Sequence, residues 1–301
     1  MWAMTFNPNA NISSGNVRRR SGGGGIGTGG LMLGGGGAGT LIIALILMFT
    51  GVLDPSALLS GGGMQTGPVN EQALDCSTGQ DANERDECLV QGTIESADDL
   101  WQQTAPRNGF QWEEPDAIVF EGSVTTACGQ ASAAVGPFYC PADKTIYIDV
   151  SFYEELSSRF GSSGGNLAKE YVVAHEYGHH IQNLDRTMDS IDRRQTGPQS
   201  DQVRLELQAD CYAGMWARHA STTKDANGNT FLQPLTEQDV RDGLSAASSV
   251  GDDHIQGEVA GGRVQPDTWT HGSSEQRMKW FITGYNEGTY KACDTFSVDR
   301  V

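Results

Sequence analysis

The chain has 301 residues and a formal net charge of −18, from 38 acidic against 20 basic side chains. That balance excludes a nucleic-acid binder, which needs clustered cations for phosphate contacts. Hydrophobic residues make up 38% and charged residues 19%, enough for a packed core but not for a multi-span membrane protein.

The charge is unevenly spread. The first 53 residues hold no acid, and Arg18, Arg19 and Arg20 are their only charges. Such asymmetry predicts that two parts of the chain face different surroundings. Residues 1–17 are polar and are expected to be disordered. With the three arginines and a glycine-rich stretch they make an expected basic tail over residues 1–30. Leu31–Leu53 form an uncharged run of 23 residues. As a helix this run spans roughly 35 Å, against a bilayer core of about 30 Å. It is read as a single transmembrane anchor, densest at Leu41–Phe49 and weakest at Gly34–Gly37. The competing readings are a cleaved signal peptide, for which no A-x-A site follows, and a buried core helix. The positive-inside rule then keeps the N-terminus cytoplasmic and the acidic part outside. Residues 54–75, Ser- and Gly-rich between Leu58 and Pro68, serve as a linker, and 76–301 as the functional domain.

All six cysteines follow the run, and an even count on an exported segment predicts disulfides. Six cysteines allow 15 pairings. Short loops favour Cys76–Cys88 and Cys128–Cys140, which leaves Cys211–Cys293; the alternative is that some are free, buried thiols. No C-x-x-C pair supports a zinc ribbon.

In chain order, Asp86–Thr104 carries Val90, Ile94, Ala97 and Trp101 at helical spacing. Ala117–Phe120 reads as a strand, and Cys128–Val150 as a hairpin whose second half, Thr145–Val150, is rich in β-branched residues. Helices are expected over Phe152–Phe160, Asn166–Leu184 and Asp201–His219. Thr236–Asp239 forms a capping-box start for a helix reaching about Val250. A long polar loop over Gly251–Gly272 precedes a last helix, Ser273–Asn286. A helix, a small sheet and then helices define an α+β class.

The chemistry sits in His175-Glu176-Tyr177-Gly178-His179, an H-E-x-x-H motif in a helical frame. At i and i+4 both imidazoles point the same way and are able to hold one Zn²⁺. Glu176, one step round the helix, lies beside the metal and is placed to act as general base. A catalytic zinc needs a third protein ligand. Gln182 and Asp185 stand where the metzincin pattern needs Gly and His, so that class is excluded. Glu206, on the following helix, is the expected third ligand. Asp210, four residues on and on the same face, is expected to hold the N–H of a ligating histidine. His271, at the mouth of the last helix, is a candidate to stabilise an oxyanion. Arg277, one turn later, either shares that role or pairs with a carboxylate. His180 is read as structural, His219 as a surface residue, and His254 as a weaker candidate for the site.

Taken together, the basic, glycine-rich N-terminus, the single apolar run, Gly136–Asp143, His175–His180, Leu205–Gly214 and Thr270–Arg277 resemble the neutral zinc metallopeptidases of bacteria. The resemblance covers nearly the whole chain. It implies a zincin-like fold with two His and one Glu as zinc ligands, the ligand logic of the gluzincins. The expected protein is thus a single-pass, membrane-anchored zinc endopeptidase of the bacterial envelope, acting on a protein or peptide substrate. Phe138–Asp149 is the candidate sheet edge for an extended substrate. The acidic surface favours basic or neutral substrates. Two other readings share these features: a zinc amidase acting on cell-wall peptides, and a tethered zinc-binding protein without activity.

Overall fold

The computed structural model describes residues 5–21, 70–132, 135–225 and 227–301. The expected anchor, Leu31–Leu53, and most of the expected linker lie outside the described residues. The strands are β1 (Val17–Ser21), β2 (Asn70–Ala73), β3 (Asp116–Phe120), β4 (Ser123–Thr126), β5 (Gly129–Ser132), β6 (Phe138–Cys140) and β7 (Thr145–Asp149). The helices are α1 (Gly79–Glu84), α2 (Asp86–Arg107), α3 (Phe152–Ser158), α4 (Asn166–Leu184), α5 (Thr187–Ser190), α6 (Asp201–Thr222), α7 (Glu237–Ser249), α8 (Asp252–His254) and α9 (Ser274–Glu287). The fold is mixed α+β: a helical body with a small sheet, as the order of elements predicts. Among the described residues no helix is long and apolar enough to cross a membrane.

Five strands pair in the order β2-β1-β3-β7-β6, and β4 and β5 form a separate ribbon. β1, β3 and β7 run parallel, while β2 and β6 close the two edges antiparallel. The expected hairpin therefore holds only as β6–β7; Gly129–Ser132 belongs to the ribbon instead. Only β6 is an edge. β7 is interior and buried along its whole length, so it is not open to a substrate strand.

The N-terminal segment departs from expectation. Thr5–Ser21 is not a disordered tail: Phe6, Ile12 and Val17 are buried in the main core, and β1 lies between β2 and β3. Its polar residues make local turns, with Asn7 accepting from the Asn9 N–H and Asn11 from the Ser13 N–H. Gly92 makes room for the Phe6 ring: a Cβ there would come within 2.7 Å of it. The three arginines are not a free basic cluster. Arg18 pairs with Glu71 and Asp116, Arg19 with Glu87, and Arg20 with Glu71. The folded unit thus includes residues on both sides of the apolar run, and the boundary expected at residue 76 does not hold. Residues 17–21 share one hydrogen-bonded sheet with residues 70–73 and 116–120, rather than standing apart from the acidic part.

Three disulfides close the fold: Cys76–Cys88, Cys128–Cys140 and Cys211–Cys293. The last spans 82 residues and ties α6 to the C-terminal segment. The helical body is built on very close approaches. A Cβ on Gly178 would come within 3.0 Å of the Ala209 Cα, so glycine in the middle of the H-E-x-x-H string lets α4 lie against α6. A Cβ on Gly214 would fall 1.9 Å from the Phe281 carbonyl oxygen, and one on Gly284 1.8 Å from that of Cys211. These two glycines let α9 touch α6. The expected loop 251–272 is partly helical, with α8, a π-turn over Ile255–Val259 and a 3₁₀ turn at Pro266–Thr268.

Candidate metal centre

His175 and His179 sit one turn apart on α4, with their rings 4.8 Å apart between centroids. Across the α4–α6 contact, Glu206 faces both. His175 Nε2 lies 3.3 Å from Glu206 Oε2, and His179 Nε2 lies 3.5 Å from Oε1. One ligand atom from each residue lies within 4.8 Å of the other two, and all three residues are buried.

The other imidazole nitrogens are already engaged. His175 Nδ1 bonds Asp210 Oδ1 at 2.9 Å, and His179 Nδ1 bonds Gln182 Oε1 at 2.8 Å. Both Nδ1 atoms therefore carry the proton, and both Nε2 lone pairs face Glu206. Glu206 Oε1 is buried without a hydrogen-bond partner. An orphaned buried carboxylate oxygen between two available imidazole nitrogens is a donor set suited to a divalent metal, zinc above all. Burial alone would raise the Glu206 pKa, but His179 and His175 outweigh it and hold the carboxyl well below its usual range. Burial likewise opposes charge on His175, yet with no metal between them Asp210 and Glu206 push that group up to about 9, so a metal at Nε2 would have to displace a proton there.

Asp210 is itself fixed. Arg277, delivered by the α6–α9 contact, grips it with Nε to Oδ2 and Nη2 to Oδ1, both at 2.9 Å. The Tyr171 hydroxyl donates to the same Oδ1. Burial raises the Asp210 carboxyl; Arg277 and His175 overcome it and lower the pKa. Of the two roles left open for Arg277, carboxylate pairing is the one seen.

Glu176 is half-buried and lines the same cleft. Burial raises its pKa, with the two nearby imidazoles of His179 and His175 acting against it. His271 also lines the cleft. Its Nδ1 lies 3.2 Å from Asp252 Oδ1, and its Nε2 is buried with no partner. Asp252 Oδ2 accepts from the backbone N–H groups of Thr270, His271 and Gly272 at 2.7–3.0 Å, so one carboxylate sets both the turn and the ring.

The remaining histidines lie outside the cluster. His180 is buried between the Tyr139 hydroxyl and the Glu113 carbonyl, and burial lowers its pKa to about 4. His219 meets Asp99, and His254 bonds the Phe160 carbonyl. Sequence reasoning missed Gln182 and Asp252. Gln182 was within reach, since it lies at i+3 from His179 on the same helix face.

His175, His179 and Glu206 form a buried cluster that could hold one metal ion, with the Glu176 carboxylate lining the same cleft. The chain matches the model of the family described as "Putative neutral zinc metallopeptidase" over residues 7–296, and it belongs to that family. It is similar to "Uncharacterized protein Rv2575" of Mycobacterium tuberculosis, 48% identical over 254 residues, which cover 83% of this chain and 85% of that protein. It is also similar to "Uncharacterized protein YpfJ" of Escherichia coli K12, 35% identical over 263 residues, 85% of each. No solved structure matches the chain.

Proposed function

We propose that the protein is a zinc-dependent endopeptidase with His175, His179 and Glu206 as ligands and Glu176 as general base. The observation that carries this reading is the convergence of both Nε2 atoms on Glu206, with Glu176 in the same cleft. A zinc ion held there supplies Lewis acidity toward water and the scissile carbonyl. Glu176 takes the proton of the attacking water and returns it to the leaving amine. His271, whose Nδ1 faces Asp252, leaves Nε2 unpartnered in the cleft wall; in the doubly protonated ring, with Nδ1–H held by Asp252, Nε2–H would donate to the developing oxyanion. Asp210, fixed by Arg277, keeps the His175 ring and tautomer in place. An active-site helix packed beneath a small sheet with an open β6 edge supports a zincin-like reading of the fold.

The test is zinc content and cleavage of a mixed peptide library. Glu176→Gln should keep zinc and lose about 10²–10⁴-fold in rate, while Glu206→Ala should lose zinc. Equal cleavage by wild type and Glu176→Gln would sink the general-base role. Full zinc binding with no cleavage by any form would favour the binding-protein reading, and cleavage restricted to cell-wall peptides the amidase reading.

We further propose that the protein works in the envelope, associated with the membrane through residues 31–53. The three disulfides support an oxidising compartment. The pairing of β1 adds a constraint: Val17–Ser21 and the peptidase domain belong on the same side of that membrane. Ser13 and Glu237 are exposed positions on either side of the run in sequence. Single Ser13→Cys and Glu237→Cys variants should react alike with a membrane-impermeant maleimide on intact cells. Labelling of Glu237→Cys alone would restore the cytoplasmic N-terminus.

A further inference from the structure

The cleft that holds the metal ligands continues into a pocket of different chemistry. The wall is apolar and comes from separate parts of the chain: Phe152 on α3, Phe160 after it, Val172 on α4, Val250 at the end of α7 and Ile255 in the π-turn. Phe152, Phe160, Val172 and Ile255 are buried yet border the open cleft. Val172 lies three residues before His175, on the same helix face, so the wall begins next to the first ligand. The cleft is open to solvent on one side, and its empty space is about 730 Å³ only when that open mouth is counted.

Among the described residues that line this cleft, the acidic, basic and imidazole groups are His175, Glu176, His179, Glu206, His271 and Arg277, all part of the candidate metal site, and none belongs to the apolar wall. Arg277 spends Nε and Nη2 on Asp210 and Nη1 on the Val250 carbonyl. Glu206 faces the two imidazoles. The described residues of the apolar wall offer no charge to a charged substrate side chain, and burying one there unpaired is costly. The wall is also held in place. His254 Nε2 bonds the Phe160 carbonyl at 2.9 Å, so the residue that looked like a candidate for the metal braces the pocket instead.

We propose that this pocket selects an apolar side chain, of leucine or phenylalanine size, on the residue flanking the scissile bond. The proposal rests on the peptidase reading for its biological meaning, but the pocket can be tested without catalysis. The substrate class follows: the protein cleaves beside large apolar residues, so its targets are unfolded or extended segments in which such residues are exposed.

The experiment uses the zinc-loaded protein and small hydroxamates, whose zinc-binding group places a side chain in the adjoining pocket. The series carries isobutyl, benzyl, methyl or carboxymethyl groups, and binding is read by titration calorimetry. Isobutyl and benzyl should bind about 10- to 100-fold more tightly than methyl, from the apolar area buried. Carboxymethyl should bind most weakly. Val250→Phe, at a half-buried wall position, should remove the advantage of isobutyl and benzyl over methyl. Equal affinities across the series, no binding by any member, or the same ladder in Val250→Phe would each overturn the proposal. A steep ladder together with no peptide cleavage would uphold the pocket and count against the peptidase reading. Cleavage indifferent to the flanking residue, with a flat ladder, would do the reverse.

Discussion

Glu170 on α4 and Asp210 on α6 are both fully buried, at 0% exposure. Their carboxyls nevertheless move in opposite directions. Burial raises both, but Arg277 and His175 reverse its effect at Asp210, which ends below its usual value. At Glu170 the opposing partner is a single hydroxyl, that of Thr5, with a smaller pull from the charge of Lys169, and Asp239 adds repulsion. Glu170 is pushed up to about 8, and its Oε2 has no partner. Neighbours, rather than depth, decide which buried acid carries charge. The charged one orients the His175 ring. The neutral one fastens the N-terminal segment to the helix that bears the motif.

The largest effect is expected where the charged acid loses its cation. Arg277→Met would leave Asp210 buried against His175 and Tyr171 alone. Breaking a buried pair by removing one partner costs about 3–5 kcal/mol, read as a fall in the urea midpoint. Losing a partner of this kind also weakens metal affinity about 10- to 100-fold, read by competition with a chelator. Arg277→Lys keeps the charge but not the two-point grip, so it should fall between wild type and Arg277→Met. A cost below about 1 kcal/mol for Arg277→Met would mean that the pairing is no stronger than a surface ion pair, and the contrast with Glu170 would collapse.

The two acids also differ in how far the sequence reveals them. The spacing of His175, His179, Glu206 and Asp210 is helical, and helical spacing fixes a shared face whatever the rest of the chain does. That is why α4 appears in the sequence with its bounds intact and the triad can be assembled on paper. Arg277 was half legible: its position was clear, but its choice of partner depends on Gly214 and Gly284 letting two helices touch. Asp252 was not legible, because its ligands are backbone amides 18–20 residues away. Neither was β1. Its arginines read as a topogenic charge cluster, and only pairing with residues 70–73 and 116–120 turns them into strand residues with acidic partners. Asn- and Ser-rich composition suggested disorder over a segment whose few apolar residues, Phe6, Ile12 and Val17, each fill a place in the core.

The smaller effect concerns the neutral acid, and it depends on pH. The folded pKa of Glu170, about 8, lies above its ordinary value of 4.5. The folded state therefore binds this proton more tightly than the unfolded state. Stability from this group is full below about pH 4.5, falls as pH rises through the window up to 8, and then levels off. By pH 7 the loss is on the order of 3 kcal/mol. Glu170→Gln removes the titration while keeping a side-chain oxygen for the Thr5 hydroxyl. Urea unfolding at pH 5, 7 and 9 should place the variant near wild type at pH 5 and above it at pH 9. Thr5→Val sharpens the reading. The hydroxyl favours the charged form, so its removal should cost more at pH 9 than at pH 5, by about 1 kcal/mol. In the Glu170→Gln background that difference should vanish, because no charge remains for the hydroxyl to stabilise. A stability difference between wild type and Glu170→Gln that stays constant from pH 5 to pH 9 would show that Glu170 does not titrate in this window. Burial would then fail to separate it from Asp210.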